Sequence, residues 1–197
     1  MSNCCPLGYG SSENSTELQK RAAQVPIPPE SSMSSERVTS SIPNREGKWM
    51  YPSPVQFYRN AVAKGHEVDT GDMNTVVNIH NAVNEETWRR IVTFETKYHR
   101  LECPGGPSLI RFVGMPSQPS VKARVLHWVG GYVMPFDRHE WTIDRCGTGL
   151  FKYHVDFYDG ANQEEGKVNI YLDVRPGMNT LSGVWDNLRI AIDKIID

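Results

Sequence analysis

His80 is the side chain in this sequence best placed to do chemistry, because its neighbours at helical spacing are mostly apolar. Residues 72–95 carry one stripe at the i, i+3, i+4 and i+7 spacing of an amphipathic helix: Met73, Val76, Val77, His80, Val83, Asn84, Thr87, Ile91 and Phe94. An imidazole on such a face needs a polar partner, since burial without one costs free energy. It is either a core histidine bonded to a carbonyl or carboxylate, or an axial ligand to a flat metal cofactor resting on the valines.

The same stretch contains a second feature, an apparent helix start. Asn81 and Asn84 are poor residues for a helix interior, and Asn84 followed by Glu85 and Glu86 is typical of an N-cap with acids in the first turn. We therefore expect two helices, with His80 near the end of the first and Glu85 near the start of the second.

Charged and aromatic side chains are concentrated in residues 137–147, DRHEWTIDRCG. Such a run is often a surface turn with ion pairs. Alternatively, Arg138 and Arg145 could bind an anionic ligand, since a guanidinium group pairs with carboxylates through two hydrogen bonds. His139 is a second candidate iron ligand, but it lacks the apolar helical face predicted beneath His80.

Two aromatic residues, Trp49 and Tyr51, precede a well-marked helix at residues 54–64. Ser53 is a favourable N-cap, Pro54 suits the first helical position, and Gln56 completes a capping box, while Gly65 is a natural C-cap. Trp49 and Tyr51 either pack on this helix or flank a flat ligand.

The four cysteines, at positions 4, 5, 103 and 146, form neither a C-x-x-C pair nor a zinc-binding spacing. We expect no disulfide framework. Cys5 and Cys103 each precede a proline, as in short motifs whose thiolate reaches haem iron, but two residues are a weak signal and a loose tail and a loop turn are the favoured explanation.

Composition excludes several classes of protein. The formal net charge of −2, with acids and bases interleaved, provides no basic stripe for nucleic acid. No apolar run approaches the roughly 18 residues of a membrane-spanning helix, so any membrane contact would be peripheral. The N-terminus resembles neither a secretory signal nor a mitochondrial presequence. The sequence motifs of serine hydrolases, zinc proteases and nucleotide-binding loops are also absent.

Periodicity along the chain predicts an α+β fold with a single domain. Residues 1–45, rich in Ser and Pro, are expected to be a disordered tail and residues 46–197 the folded domain. Short strands are predicted at residues 108–113 and 121–129, and residues 151–157 and 168–174 alternate as an antiparallel hairpin. His154 falls on the polar face of that hairpin, as a surface residue. A C-terminal amphipathic helix from Thr180 is expected to lie against the sheet.

Several ordered blocks of the sequence resemble those of one family. The strings are KWMYPSPVQFYRNAVAKG, IHNAVNEETWRRIVTFE, CPGGPSLIRFVG, PFDRHEWTIDRCG, VDFYDG and LDVRPGMNTLSGVWDNLR, and they run in order from residue 48 to about residue 189. They are similar to the successive blocks of the holocytochrome-c synthases, also called cytochrome c haem lyases. The Cys-Pro-Val repeats found in the tail of many members are represented here only by Cys5-Pro6-Leu7.

The resemblance implies an enzyme that joins the vinyl groups of haem b to the cysteines of a C-x-x-C-H motif in apocytochrome c. It also implies a location in the mitochondrial intermembrane space, peripheral on the inner membrane. His80 occupies the position of the family's haem iron ligand. Glu85 and Arg145 match residues important in the family, and Trp49 and Tyr51 match its first haem-associated block.

Some roles remain hypotheses from residue type. Arg138 and Arg145 could pair with haem propionates, and Glu85 or a backbone carbonyl could fix the tautomer of His80. The substrate could be apocytochrome c, apocytochrome c1 or both. A non-catalytic haem carrier or sensor acting through Cys5 and Cys103 is the alternative from another class.

Overall fold

The computed structural model describes residues 12–115, 118–160 and 169–196, which form helices and two antiparallel sheets. The helices are α1 (Ser12–Gln24), α2 (Pro54–Ala63), α3 (Met73–His99), α4 (Val121–Gly130) and α5 (Leu181–Ile196). The strands are β1 (Thr39–Asn44), β2 (Gly47–Met50), β3 (Ser108–Gly114), β4 (Asp137–Asp144), β5 (Leu150–Asp159) and β6 (Ile170–Pro176). The predicted α+β class is confirmed.

A four-stranded antiparallel sheet in the order β3-β4-β5-β6 carries the main core on one face. Because side chains alternate along a strand, Trp141 of β4 and Val155 of β5 point to the same face. Trp88 and Ile91 of α3 pack there, and the rings of Trp88 and Trp141 are stacked 6.4 Å apart. The predicted strand at 108–113 and the predicted hairpin are confirmed as β3 and as the pair β5 and β6. Most of the hairpin loop, residues 161–168, lies outside the described residues.

Helix α3 is continuous over 27 residues, so the predicted break between His80 and Glu85 is wrong. Asn81 and Asn84 have low helix propensity, but both are buried, and Asn84 hydrogen-bonds one turn back to His80. The Thr87 hydroxyl likewise donates to the Val83 carbonyl. Packing against α2 at one end and the sheet at the other outweighs the weak local preference.

Residues 121–129, predicted as a strand, form most of helix α4 instead. The Ser120 hydroxyl accepts a hydrogen bond from the Ala123 amide at 3.1 Å, and Gly131 closes the helix in the left-handed conformation at φ 65°. The β-branched valines favoured a strand, whereas the capping residues at both ends, also visible in the sequence, decide the structure.

The expected disordered tail is wrong for residues 12–45, since α1 and β1 lie within it; residues 1–11 lie outside the described residues. Strand β1 pairs with β2, and Ile42 is buried in the main core. The Arg37 guanidinium donates to the carbonyls of Met50 and Tyr51, which attaches this segment to the start of the folded domain. The few apolar side chains near residue 42 therefore suffice to order it.

Helix α5 forms as predicted, but its apolar stripe faces away from the sheet. Over residues 181–193 of α5, the buried residues are Gly183 and Asp186. A Cβ at Gly183 would lie 1.9 Å from the Gly177 carbonyl oxygen, so close approach requires glycine there. The Asp186 carboxylate is 3.2 Å from Nε2 of His99 in α3. Polar contacts rather than the hydrophobic stripe therefore hold α5 in place.

A disulfide joins Cys103 to Cys146, so the expectation of no disulfide is wrong. The two cysteines are 43 residues apart in sequence, but the end of α3 and the β4–β5 turn bring their Cα atoms to 5.3 Å. That distance lies within the range that disulfides require. Sequence spacing gave no indication of this pairing because it depends on the tertiary fold.

Candidate functional site

His80 lies on α3 at the boundary between two apolar clusters. The main core begins at Val83, and a smaller cluster of Phe57, Met73 and Val77 joins α2 to the first turns of α3. The imidazole is half-buried, and the ring of Phe57 stands edge-on to it with centroids 5.3 Å apart. The predicted apolar surroundings of this histidine are therefore present, partly supplied by α2.

One partner of His80 is the side-chain amide of Asn84, one helical turn later. The amide nitrogen of Asn84 lies 3.2 Å from Nδ1 of His80. An amide can present either its NH₂ group or its carbonyl to such a nitrogen. As placed, the Asn84 NH₂ group faces Nδ1. Turning the amide over so that its carbonyl faces the ring lets Nδ1–H donate and leaves on Nε2 the lone pair that iron coordination requires.

The hypothesis that Glu85 fixes the tautomer of His80 requires the two side chains to share a face of α3. Five residues along a helix correspond to a rotation of roughly 140° and a rise of about 7.5 Å, so the two side chains leave α3 on different faces. The Glu85 carboxylate accepts hydrogen bonds from the backbone amide and hydroxyl of Ser41 and, at 3.0 Å, from the Tyr51 hydroxyl. Glu85 thus fastens the β1–β2 hairpin and the residues after it to α3.

Tyr51 is buried, so in this structure its ring does not offer a face to a ligand. Burial, together with the adjacent Glu85 carboxylate, raises the pKa of Tyr51 well above its ordinary value. The hydroxyl therefore remains a proton donor to Glu85 at physiological pH. Its geometry indicates a positioning role rather than stacking.

Trp49 lines a cavity of about 840 Å³ between α1, the β1–β2 hairpin and α2. Ligand sites typically measure about 300–1,000 Å³, so the space suits a ligand of cofactor size. Three cationic side chains, Arg37, Lys48 and Arg59, also line it, with Glu46 as an acid. The α2 residues that line this cavity lie on a different face of the helix from Phe57, which contacts His80.

Arg145 is deeply buried in an ion pair, and its guanidinium group is not displayed to a ligand. Its Nε and Nη2 atoms donate to the two oxygens of Glu95 at 2.7 and 2.8 Å, with both side chains 2% exposed. Glu102 provides a second carboxylate at 3.3 Å, and the guanidinium stacks on Phe151. These contacts favour a structural role over the pairing with propionate that residue type suggested.

Arg138 lies on the opposite face of the sheet from α3. Its guanidinium donates to the Gln118 carbonyl and lies 3.1 Å from Nδ1 of His154, with the buried carboxylate of Asp156 at 3.7 Å. The structure thus places Arg138 and Arg145 apart from each other, on different faces of the sheet.

His154 is half-buried within this charged face, so its expected position on the surface is only partly correct. Burial, and next the positive charge of Arg138, lower the pKa of His154. His154 is consequently neutral at physiological pH. Its neighbour Asp156 also binds Arg175 and the hydroxyl of Ser120, and the whole group fixes α4 to the sheet.

His139, the other candidate iron ligand, is 2% exposed on the core face of β4. Its Nε2 lies 3.1 Å from the Asp137 carboxylate, and the ring of Phe157 packs against it with centroids 4.7 Å apart. Access by a ligand as large as a porphyrin would require opening the core. Half-buried His80 is the more accessible of the two.

Sequence reasoning missed Asn84 as the partner of His80, although its i+4 spacing was available in the sequence. It also missed Phe57 and the cationic cavity residue Arg59, whose positions depend on how α2 packs. Within the described residues, no group of three or more metal-ligating side chains is present, and no helix is long and apolar enough to cross a bilayer.

Comparison with known proteins defines the class as haem lyases. A family model described as cytochrome c/c1 heme lyase matches residues 18–191. The chain therefore belongs to the cytochrome c/c1 haem lyase family. This match begins well before residue 45, in agreement with the ordered α1 and β1.

Curated relatives cover most of the chain. The Homo sapiens holocytochrome c-type synthase is 39% identical over 200 residues, which span 95% of this chain and 74% of that protein. The Saccharomyces cerevisiae holocytochrome-c synthase is 32% identical over 82% of this chain and 68% of its own length. A putative holocytochrome-c1 synthase from Chaetomium thermophilum is 43% identical over 70% of this chain and 49% of its length. No solved structure matches.

Proposed function

We propose that this chain attaches haem b to apocytochrome c and that His80 ligates the haem iron while the thioether bonds form. Membership of the family supports the reaction, and the surroundings of His80 support the ligand. The half-buried imidazole, with Asn84 at Nδ1 and Phe57 at its edge, is the observation that carries this assignment. An apolar floor with one fixed imidazole is what a haem requires of an axial ligand.

The reaction needs little acid–base chemistry from the enzyme. Each vinyl group takes up one thiol: the sulfur bonds to one vinyl carbon and the proton ends on the other, with no leaving group and no change of iron oxidation state. The principal contribution of the protein is to hold haem and peptide in register. His80 binds one face of the iron, and the histidine of the substrate's C-x-x-C-H motif binds the other.

The release of product follows from the same ligation. If both histidines stayed on the iron, the finished cytochrome would remain attached to the enzyme. His80 therefore dissociates as the product folds, and a moderate rather than maximal affinity for iron is expected. The Asn84 amide is the group that tunes this affinity, because it contacts the other ring nitrogen.

Glu85 and Tyr51 are assigned positioning roles. Their hydrogen bond holds the β1–β2 hairpin against α3 and thereby orients the segment that carries Trp49. Trp49 is proposed to contact haem from the cavity between α1, the β1–β2 hairpin and α2, where Arg37, Lys48 and Arg59 supply positive charge for propionates. In view of their protein partners, Arg138 and Arg145 are assigned to stabilising the fold.

A haem carrier or sensor acting through Cys103 is disfavoured, because that sulfur is committed to the disulfide with Cys146. Cys5 lies outside the described residues. We further propose a location in the mitochondrial intermembrane space with peripheral attachment to the inner membrane.

Coexpression with an apocytochrome tests the proposed activity. Haem that stays with the cytochrome through acid-acetone extraction demonstrates thioether formation, and running the assay with apocytochromes c and c1 separately assigns the substrate. Attachment to apocytochrome c is expected. Bound haem that is fully extracted from both apoproteins would contradict the enzyme assignment in favour of a carrier.

A further inference from the structure

Helix α4 presents its apolar residues away from the protein. With about 100° between successive residues, Val121, Val125, Trp128 and Val129 form a stripe roughly 100° wide. Ala123, the residue of α4 that is buried, lies on the opposite side of the helix. Trp128 is 87% and Val129 is 71% exposed. This is the reverse of the orientation that a surface helix of a globular protein adopts.

The exposed apolar surface continues beyond the helix. Tyr132, Val133 and Phe136 are all exposed and lie in the connection to β4. We define the α4 face as this stripe together with these three residues. A contiguous apolar surface of this kind marks a contact with a partner or a membrane rather than with water.

Helix α4 is held in place before any partner arrives. Ser120 caps its start, and Gly131 and the contact between His127 and the Tyr132 carbonyl close its end. The Ser120 hydroxyl also donates to the buried Asp156 carboxylate at 2.6 Å. Such attachment is needed because an isolated helix of ten residues is marginal in water. The fold thus keeps these apolar side chains exposed to water, although this exposure is energetically unfavourable.

The charge around the α4 face identifies the kind of partner. Residues 118–136 contain Lys122, Arg124 and His127 but no aspartate or glutamate, in a chain of net charge −2. Lys122 and Arg124 lie on either side of the apolar stripe. Lys122 also pairs with the Asp173 carboxylate of β6 at 2.7 Å, so Arg124 is the principal basic residue beside the stripe. Basic residues flanking an apolar stripe, with Trp and Tyr at its edges, are typical of helices that lie in the interface of an anionic bilayer.

We propose that the α4 face inserts into the interfacial layer of an anionic lipid bilayer. This deepens the peripheral membrane attachment proposed above and rests on it, but it does not depend on the role of His80. A lipid surface is favoured over a partner helix because Trp128 and Val129 point outward, whereas the groove beside them, lined by Tyr132 and Val133, also contains the acids Asp159 and Asp173. Trp128, the most exposed residue of the stripe, is the principal inserted side chain.

Binding of the purified full chain to vesicles tests the proposal. Vesicles of phosphatidylcholine with phosphatidylglycerol are expected to sediment the wild-type protein. A Trp128→Ser/Val129→Ser variant should bind at least about tenfold more weakly, since two large apolar side chains no longer leave water. Arg124→Gln should weaken binding to these vesicles by about fivefold. It should leave binding to pure phosphatidylcholine unchanged.

A matched pair on α5 is the control. Val184→Ser/Trp185→Ser removes an adjacent valine and tryptophan that are about half exposed, from a helix that carries both acids and bases. This variant should bind vesicles like the wild type. Equal loss of vesicle binding in both double variants would overturn the assignment. Vesicle binding by the α4 double variant at the wild-type level would also overturn it. So would loss of apocytochrome binding by the α4 variant with vesicle binding intact.

Fluorescence quenching gives an answer that does not depend on the folding of the double variant. Lipids brominated near the headgroup should quench part of the tryptophan emission of the wild type and much less of Trp128→Phe. Equal quenching in the two proteins would place another tryptophan at the membrane. Haem attachment measured in solution without vesicles is expected to be the same in the α4 variants and the wild type, which separates this proposal from the proposed enzyme activity.

Discussion

Single residues of this chain divide into those that hold the fold and those exposed to a ligand, and Arg145 belongs to the first group. Its bond to Glu95 is bidentate, and neither side chain is accessible to water. The sequence presented Arg145 as one of a charged run. Only the structure shows that the run is a central strand and that the charge is neutralised by a residue 50 positions earlier.

Removing one member of this pair is predicted to destabilise the protein strongly. Glu95→Gln should lower the free energy of unfolding by about 3–5 kcal/mol, because it leaves the buried Arg145 charge with only the exposed Glu102 carboxylate at 3.3 Å. Urea titration of the purified protein measures this. Arg89→Gln, which removes an exposed partner of Glu86, is the control and should unfold like the wild type. Equal stability of all three proteins would contradict the structural role of Arg145.

His154 predicts a dependence of stability on pH. The lowered pKa means that the folded state binds this proton more weakly than the unfolded state does. Stability should therefore fall as pH decreases below the ordinary histidine pKa of about 6.5 and continue to fall until the folded-state pKa is passed. At pH values well above about 6.5, His154 is neutral in both states and does not affect stability.

The measurement is urea unfolding at about pH 8 and about pH 5.5 for the wild type and His154→Gln. The variant removes the titrating group but keeps an amide able to accept from Arg138. It should lose less stability over this interval than the wild type does. An identical loss in both proteins would show that other groups cause the acid sensitivity.

Among the secondary-structure elements, capping residues predicted the positions of helices better than hydrophobic periodicity did. The capping residues of α2 are found as predicted: Ser53 accepts from the Gln56 amide, and the Gln56 side chain accepts from the Ser53 amide. At α4 the same kind of signal, Ser120 and Gly131, was outweighed by a preference for strands at valines, and that prediction failed. At α3 the reverse occurred, because an apparent N-cap at Asn84 lies inside a continuous helix.

The capping box of α2 gives a direct test at this scale. Ser53→Ala should lower the free energy of unfolding by about 1 kcal/mol, since it removes the acceptor for an amide at the helix start. Thermal or urea unfolding measures the change. Ser35→Ala, at an exposed position outside the helices, should have no effect. Equal stability of both variants would mean that packing alone fixes the start of α2.

The candidate site was predictable only in part, for physical reasons. His80 was found because its apolar neighbours recur at helical spacing, a local property of α3. Its contact with Phe57 and the burial of Tyr51 against Glu85 depend on how separate elements pack, which spacing along the chain does not reveal. The outward stripes of α4 and α5 were missed for the same reason, since a periodic pattern defines a face but not what it meets.

For the whole molecule, the disulfide is the largest feature that sequence reasoning excluded. It connects the end of α3 to the β4–β5 turn, next to the Glu95–Arg145 pair. Closing a loop of this length restricts the unfolded chain, so the bond should contribute about 2–4 kcal/mol to stability. An oxidising compartment would preserve it.

Thiol titration and unfolding together test the disulfide. Under denaturing conditions, the protein purified without reductant should expose two fewer thiols than the reduced protein, and Cys103→Ser/Cys146→Ser should be less stable by the amount given above. The same thiol count with and without reductant would contradict the bond.

The most direct test of the central claim is haem attachment by a His80→Ala variant coexpressed with apocytochrome c. His66→Ala, at a histidine outside the proposed site, is the control. His80→Ala should yield purified enzyme without bound haem and cytochrome without acid-stable haem, and it should unfold like the wild type. His66→Ala should keep the wild-type activity. Covalent haem formed by His80→Ala at the wild-type level would contradict the proposed ligation of iron by His80.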